Sequence, residues 1–170
     1  IDGLERVTQI VRALKEFSHQ GRGGRERIDI NQMIENAITL TRNEWKFVAA
    51  FERDLAPGLP PVAAAGYECG QLLVNLIVNA AHAVLAASAA GRKGVISART
   101  RLVNGQVEIR VSDTGTGIPP EIRDRIFEPF FTTKSVGKGT GQGLATARAI
   151  VERHGGTIDF ETEMGRSTTF

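Results

Sequence analysis

The sequence has little of several features that mark particular classes of protein. Cys69 is its single cysteine, which excludes an internal disulfide and fits a reducing, cytoplasmic compartment. There are 21 basic and 19 acidic residues, and the net charge of +2 predicts neither a nucleic acid nor a membrane surface as a partner. No run approaches the roughly 20 apolar residues of a membrane span. Residues 1–20 carry charges throughout, unlike a secretory signal.

Two common phosphate-binding motifs are also missing. No segment matches GxxxxGK[ST], and no glycine triplet has the spacing GxGxxG. Glycines occur instead at alternate positions in residues 137–143, which forbids regular secondary structure and lets backbone N–H groups come close to an anion. Residues 144–156 follow with helical periodicity. The stretch therefore predicts a glycine loop that opens onto a helix N-terminus, which suits a phosphate group.

The chain of 170 residues is long enough for one domain and an appendage. Residues 1–19 place apolar side chains at spacings of three and four and predict an amphipathic helix. This helix either packs on its own domain or belongs to a bundle whose other helices lie elsewhere. Residues 20–27 form a predicted Gly/Arg-rich linker, and residues 28–170 form the predicted main domain.

The first half of the main domain mixes strands and helices. Residues 27–30 predict a short strand, and Asn31 is the predicted N-cap of the helix that follows. Residues 45–55 predict a second strand. Residues 66–87 predict a long helix that is apolar on several faces and therefore buried.

The second half begins with a predicted β-hairpin over residues 95–112, turned at Asn104-Gly105. Gly155-Gly156 ends the helix after the glycine loop, and a strand is predicted to start at residues 157–160. The last strand, at residues 167–170, is predicted to lie at an edge of the sheet. Because no regular βαβ repeat is present, we expect an α+β fold, a two-layer α/β sandwich with a mixed sheet and about three helices.

A polar face interrupts the long apolar helix. Asn75 and Asn79 are four residues apart and His82 is three further on, so all three share one face. A buried amide without a partner costs roughly 1–3 kcal/mol, so both amides need partners. They either bond to neighbouring backbone or provide oxygen ligands for Mg²⁺, which prefers hard oxygen donors.

Asp113 closes a predicted strand and is followed by Gly115 and Gly117 in the sequence DTGTGI. A carboxylate at this place can simply initiate a turn. It can also accept a hydrogen bond from an exocyclic amine such as that of adenine, while the two glycines let the backbone approach a flat ligand. The neighbouring glycine loop favours the second interpretation.

Four segments together resemble the catalytic ATP-binding domain of sensor histidine kinases, in the GHKL superfamily. They are NLIVNAAHA around Asn79, DTGTGI from Asp113, FEPFFTTK over residues 127–134 and GTGQGL over residues 139–144. These are similar to the N, G1, F and G2 boxes of that family, in the same order. The resemblance covers residues 27–170. The segments FEPFFTTK and NAAHA are similar to those of the nitrogen-regulatory type and of hybrid sensor kinases.

The resemblance implies a role for each matching residue. Asp113 is the implied adenine anchor, Asn79 the implied Mg²⁺ ligand, and Lys134 approaches the terminal phosphates, unless it is an ordinary solvated lysine. The remaining cofactor-binding residues fall into groups. The resemblance implies a phosphate side lined by Asn75, Gln71 and His82, and an adenine side near Gly115, Gly117, Ile118 and Leu144. It also implies that the ATP lid is hinged by Phe127, Phe130 and Phe131, unless these fill the core. The implied lid itself contains Thr132, Thr133, Gly137, Gly139, Thr140, Gly141 and Gly143.

The resemblance also implies the reaction and the partners. Residues 1–19 are similar to the second helix of a dimerisation and phosphotransfer hairpin. None of His19, His82 and His154 is followed by an acidic residue, as the phosphorylated histidine of the family is. We therefore expect Mg-ATP to be bound here and its γ-phosphate to be transferred to a histidine outside this chain.

The implied partners are a histidine-bearing helix on the same or a partner chain and a response regulator receiver domain. The resemblance also implies a bacterial, cytoplasmic homodimer, with membrane anchoring of the full-length protein left open. Two alternatives stay open: an inactive nucleotide-binding scaffold and another GHKL ATPase. A gyrase- or chaperone-like ATPase needs a catalytic Glu on the long helix, where Gln71, Asn75 and Asn79 provide none.

Overall fold

A five-stranded mixed sheet covered by helices forms the body of the protein, as expected for an α+β sandwich. The computed structural model describes residues 24–88, 93–133 and 141–170, so the helix predicted for residues 1–19 lies outside the described residues. The helices are α1 (Ile30–Leu40), α2 (Arg42–Trp45), α3 (Gly66–Ala87) and α4 (Gly143–Arg153). The strands are β1 (Glu26–Ile28), β2 (Ala49–Leu55), β3 (Val62–Ala64), β4 (Gly94–Val103), β5 (Gln106–Asp113), β6 (Glu161–Glu163) and β7 (Ser167–Thr169).

The strand order of the main sheet is β2-β4-β5-β7-β6. Strands β2 and β4 are parallel, and the other neighbours are antiparallel. Strand β1 pairs with β3 in a separate two-stranded ladder that leads directly into α3. This topology places the end of β5 beside β7 in the interior of the sheet, where its last side chain is shielded from solvent.

The core lies between the sheet and helices α1, α3 and α4. Its fully buried side chains come from each layer and include Ile34, Leu73, Ile77, Ile96 and Ile150. Burying an aliphatic side chain of this size stabilises a fold by about 1.5–3 kcal/mol. The core therefore fixes α3 and α4 against the sheet and against each other.

Helix α3 has the predicted bounds, Gly66–Ala87. Among the described residues it is the one helix long and apolar enough to cross a membrane by length and composition. In this fold it is the central core helix, packed against α1, α4 and the sheet, and Leu73 and Ile77 on it are fully buried. Its apolar character thus has a structural reason within the domain.

The start of α1 differs from the prediction. The N-cap is Asp29, whose carboxylate accepts a hydrogen bond from the Gln32 N–H at 3.1 Å. Asn31 lies inside the helix, where its Nδ2 donates to the Ala56 carbonyl and its Oδ1 accepts from the Thr100 hydroxyl. The same polar side chains serve as helix N-caps and as members of hydrogen-bond networks, so the sequence alone did not show which of these roles Asn31 has.

The strand predicted for residues 45–55 is too long, because Arg42–Trp45 forms the short helix α2. Trp45 packs its ring against Phe51, with the ring centroids 5.2 Å apart, and its Nε1 donates to the Ile38 carbonyl. Trp45, which was predicted to begin the strand, instead joins α2 to α1 and β2.

The hairpin prediction is confirmed, since Asn104 and Gly105 have φ angles of 51° and 79° and connect β4 to β5. The strand start predicted at residues 157–160 is wrong, because the strand is Glu161–Glu163 and Phe160 packs against Phe127 and Phe170. The final strand is not at the edge. Strand β7 lies between β5 and β6.

Candidate functional site

A cavity of about 610 Å³ opens between α3, the loop after β5 and the start of α4. It contains most of the described residues that the sequence singled out. Those that line it are Asn75, Asn79, His82, Asp113, Gly117, Ile118, Phe131, Thr132, Thr133, Gly141, Gly143 and Leu144. Segments far apart in the sequence, from residue 75 to residue 144, thus meet at one site.

Asp113 is the most buried charged group of the cavity, with 5% of the residue exposed. Its Oδ1 accepts the Gly115 N–H at 2.8 Å, and the Thr168 N–H on β7 is a second donor. Burial raises the pKa of this carboxyl to about 6, although the two backbone N–H groups lower it. Two N–H donors leave acceptor sites of the carboxylate available to a ligand in the cavity.

The glycines after Asp113 are required by close contacts within the protein. A Cβ at Gly115 would lie 2.5 Å from the Ala83 Cβ on α3. Gly117 has a φ of +70°, and a Cβ there would lie 2.5 Å from the Glu163 carbonyl oxygen. The loop is also bonded to the β6–β7 turn, because the Gly165 N–H donates to the Thr116 carbonyl. Gly117 lines the cavity, whereas Gly115 lies against α3.

The polar face of α3, formed by Asn75, Asn79 and His82, lines the cavity. Asn75 Nδ2 donates to the Gly143 carbonyl at 3.1 Å, which is the backbone pairing considered for a core amide. Asn79 is half-buried, and no hydrogen bond joins its amide to another described residue. A Cβ at Gly143 would lie 3.7 Å from Asn79 Nδ2, so this amide sits beside the first turn of α4. His82 Nε2 lies 3.9 Å from Glu44 Oε2 on α2.

Phe130 and Gly141 join the two chain segments on either side of residues 134–140. The Phe130 N–H donates to the Gly141 carbonyl at 2.9 Å, and both residues have positive φ angles, 66° and 65°. A Cβ at Gly141 would overlap the Phe130 carbonyl carbon. The predicted lid residues Lys134, Gly137, Gly139 and Thr140 lie outside the described residues.

The phenylalanines of the FEPFFTTK segment have different surroundings. Phe127 packs against Phe160 and Phe170, with ring centroids 6.1 and 6.2 Å away, and does not line the cavity. Phe131 does line it, and the Arg125 guanidinium lies over its ring at 4.4 Å. Phe130 is 71% exposed.

Several cavity residues were missed by sequence reasoning. They come from the 3-10 helix Pro120–Arg125, from the residue after it, from the turn between β6 and β7, from β7 and from the residue that follows it: Ile122, Ile126, Met164, Thr168 and Phe170. Sequence reasoning placed Thr168 and Phe170 on the last strand and assigned no structure to the other three. Thr168 was detectable only through the register that pairs it with Asp113 across β5 and β7.

The site offers a fixed set of chemical contacts. The Asp113 carboxylate lies among apolar walls in one part of the cavity. In another part the Asn79 amide, which bonds to no other described residue, lies beside the first turn of α4, whose N-cap Gln142 makes no side-chain capping hydrogen bond. Within residues 24–88, 93–133 and 141–170 no three His, Cys, Asp or Glu side chains cluster as metal ligands. A cation held here would therefore need oxygen ligands from an amide, from water and from its own anionic ligand, as Mg²⁺ does with nucleotide phosphates.

The sandwich fold and this cavity define the class of ATPases to which histidine kinases, gyrase and a chaperone family belong. Residues 67–170 match the family described as "Histidine kinase-, DNA gyrase B-, and HSP90-like ATPase". The chain belongs to this family. Its relatives place it more narrowly, as an ATP-binding catalytic domain of the sensor histidine kinase type.

Curated bacterial relatives match almost the entire chain. The sensor histidine kinase ZraS of Klebsiella oxytoca is 34% identical over 168 residues, which cover 98% of this chain and 35% of that protein. The sensory histidine kinase/phosphatase NtrB of Azospirillum brasilense is 31% identical, with 98% of this chain and 43% of that protein covered. The chain thus spans between a third and a half of the length of these relatives.

Solved structures agree with the fold. The catalytic domain of the histidine kinase ThkA is 29% identical with a TM-score of 0.72, covering 86% of this chain and 93% of that one. Full-length ShkA in complex with AMPPNP is 25% identical with a TM-score of 0.71, covering 95% of this chain and 34% of that one.

Proposed function

We propose that the chain binds Mg-ATP in this cavity and supplies its γ-phosphate to a histidine outside the chain. The observation that carries the proposal is the buried Asp113 carboxylate, which faces the cavity with acceptor sites available. An adenine amino group is a suitable donor for it. AMPPNP, which is named in the ShkA structure, is an ATP analogue.

The rest of the cavity matches the rest of the nucleotide. Ile118, Ile126 and Leu144 provide apolar walls for a flat base. The first turn of α4 has no side-chain cap and faces the cavity through Gly143, so its N–H groups suit phosphate oxygens. Asn79 would hold Mg²⁺ through its amide oxygen, and Mg²⁺ when bound neutralises phosphate charge.

The remaining assignments belong to the same proposal. Asn75 and His82, which line the cavity, would lie on the phosphate side, and Thr132, Thr133 and Gly141 would lie at the base of the lid. Lys134, Gly137, Gly139 and Thr140 would close over the phosphates. In this arrangement the protein acts by positioning and charge neutralisation, the main catalytic terms in phosphoryl transfer.

The acceptor and the partners are proposed from the relatives, which are named as sensor kinases. We assign the acceptor to a histidine-bearing helix of the same or a partner chain within a homodimer in the bacterial cytoplasm. A response regulator would then receive the phosphoryl group. Hydrolysis by a base on α3 is disfavoured, because the one acidic residue of that helix, Glu68, is paired with Arg153 at 2.9 Å.

Calorimetric titration with AMPPNP, with and without Mg²⁺, tests nucleotide binding. Asp113→Asn is expected to weaken binding by about 10- to 100-fold, because it replaces a charge-assisted hydrogen bond worth about 1.5–3 kcal/mol. Asp159→Asn, an exposed carboxylate outside the cavity, is the matched control and should bind like the wild type. No binding by a folded wild-type chain would contradict the proposal.

Phosphotransfer is tested separately with γ-labelled ATP and a supplied histidine-bearing hairpin from a sensor kinase. We expect an acid-labile phosphohistidine on the hairpin. Nucleotide binding without transfer to any such hairpin would indicate an inactive nucleotide-binding scaffold instead.

A further inference from the structure

The junction between the end of α4 and the start of α3 lies outside the cavity and contains a largely buried histidine. His154 follows α4, and its side chain is 15% exposed. Its Nε2 accepts the Ala65 backbone N–H at 3.0 Å, and Ala65 is the N-cap of α3. Its Nδ1 lies 2.8 Å from the Ile150 carbonyl, one turn back in α4.

These two contacts fix the tautomer of the ring. A backbone N–H can only donate, so Nε2 must carry a lone pair, and a carbonyl can only accept, so Nδ1 must carry the proton. The ring therefore has its proton on Nδ1, and it joins α4 to the N-cap of α3 through one donated and one accepted hydrogen bond. A second link lies next to it, since Arg153 Nη2 is 2.9 Å from Glu68 Oε1 on α3.

The same two helices meet again at the cavity. There Asn75 of α3 donates to the carbonyl of Gly143, the first residue of α4. Helix α4 has 11 residues and is about 16 Å long, so its two ends are tied to α3 at separate points. A helix tied at one end can tilt, whereas a helix tied at both ends holds its first turn at a set distance from Asn79.

We infer that His154 is a positioning residue for the nucleotide site, acting through α4. By holding the end of α4 to the N-cap of α3, it fixes where the first turn of α4 meets the Asn75 and Asn79 face. The inference rests on the proposed function, because it concerns the affinity of that site for nucleotide.

Two substitutions of His154 test whether its hydrogen-bond acceptor, Nε2, is the part of the side chain that matters. The amide of His154→Asn reaches about as far as Nδ1 and leaves the Ala65 N–H without an acceptor. The longer His154→Gln can place an amide oxygen near the position of Nε2. Glu152→Gln, which removes an exposed i,i+4 partner of Arg148 on the same helix, is the matched control.

We expect His154→Asn to weaken AMPPNP binding by about tenfold, a change of about 1.4 kcal/mol, while His154→Gln and Glu152→Gln remain within about twofold of the wild type. Wild-type affinity in a folded His154→Asn variant would overturn the inference, as would a His154→Gln variant as weak as His154→Asn. Thermal unfolding of each variant shows which are folded.

Two nucleotide-free measurements test the link itself. Nitrogen-15 NMR of the wild type should show an unprotonated Nε2 and a protonated Nδ1 on His154, and the Ala65 amide should exchange faster with solvent in His154→Asn than in His154→Gln. An Nε2–H tautomer would overturn the inference. Absence of nucleotide binding by the wild type would instead contradict the proposed function, so the two failures are distinguishable.

Discussion

Asp113 combines burial with a charge that the proposed site needs. Its carboxyl is surrounded by the sheet and accepts two backbone N–H groups, yet its pKa is raised to about 6 because burial disfavours the ionised form. A nucleotide amine that donates to the carboxylate favours that ionised form again. Stability and binding should therefore respond to pH in opposite directions.

The first residue-scale prediction concerns this pH dependence. The Asp113 carboxyl has a higher pKa in the folded state than in the unfolded state, so its protonation favours the folded state. This stabilisation is complete when the pH is below the unfolded-state pKa, and it is lost as the pH rises through about 6. The free energy of unfolding should thus gain a contribution from Asp113 as pH falls from 7 to 4. Over the same range AMPPNP affinity should fall, by about tenfold at pH 5, since most Asp113 is then protonated.

The measurements are urea unfolding and calorimetric titration at several pH values, each compared with Asp113→Asn. The comparison removes the titration of the nucleotide itself. Equal pH profiles for the wild type and Asp113→Asn would show that this carboxyl is not responsible.

The second residue-scale prediction concerns Asn79. Asn79→Ala should remove most of the difference between AMPPNP affinities measured with and without Mg²⁺, because the proposed amide ligand is lost. It should leave the Mg²⁺-free affinity nearly unchanged. Asn43→Ala, at an exposed position on α2, is the matched control, and an Mg²⁺ effect retained in Asn79→Ala would exclude this ligand.

At the scale of elements, the site depends on loops held by close backbone contacts. Gly141 and Gly58 both have positive φ angles, 65° and 69°, but only at Gly141 does an added Cβ meet other atoms within 4 Å. Gly58→Ala should therefore cost about 1–2 kcal/mol of stability from backbone strain alone. Gly141→Ala should cost more and also weaken AMPPNP binding, because Phe130 must move.

Urea unfolding and titration of both variants test this difference. If Gly141→Ala is no more destabilising than Gly58→Ala and binds AMPPNP normally, the contact between Phe130 and Gly141 does not shape the site.

At the scale of the whole molecule, the cavity joins α3, α4 and the central strands, so a ligand there stabilises the domain as a unit. Mg-AMPPNP at about 100 times its Kd should stabilise the folded state by about 2.7 kcal/mol. For a chain of this size, that corresponds to a rise in Tm of roughly 5–10 °C. Differential scanning calorimetry measures the shift. At the same nucleotide concentration Asp113→Asn should show a much smaller rise, and an equal rise would place the nucleotide elsewhere.

The sequence was informative wherever a local pattern has one physical solution. The apolar run of residues 66–87 predicted the central helix with its bounds, and Asn104-Gly105 predicted the hairpin, because only such residues adopt two successive positive φ angles easily. The four boxes also predicted the family. Two of the errors came from local patterns with two solutions: Asn31 can serve as an N-cap or as a member of a hydrogen-bond network, and Trp45 can belong to a strand or to a helix end.

The sequence by itself determined the fold class, the family and most of the residues that line the cavity, since each depends on residue chemistry at fixed spacing. Only the tertiary structure decided how they meet. Packing determined that Gly115 is a contact with α3, that Thr168 lies beside Asp113, and that His154 joins α4 to the start of α3. These relations depend on strand register and helix placement, which arise from contacts between residues far apart in the chain.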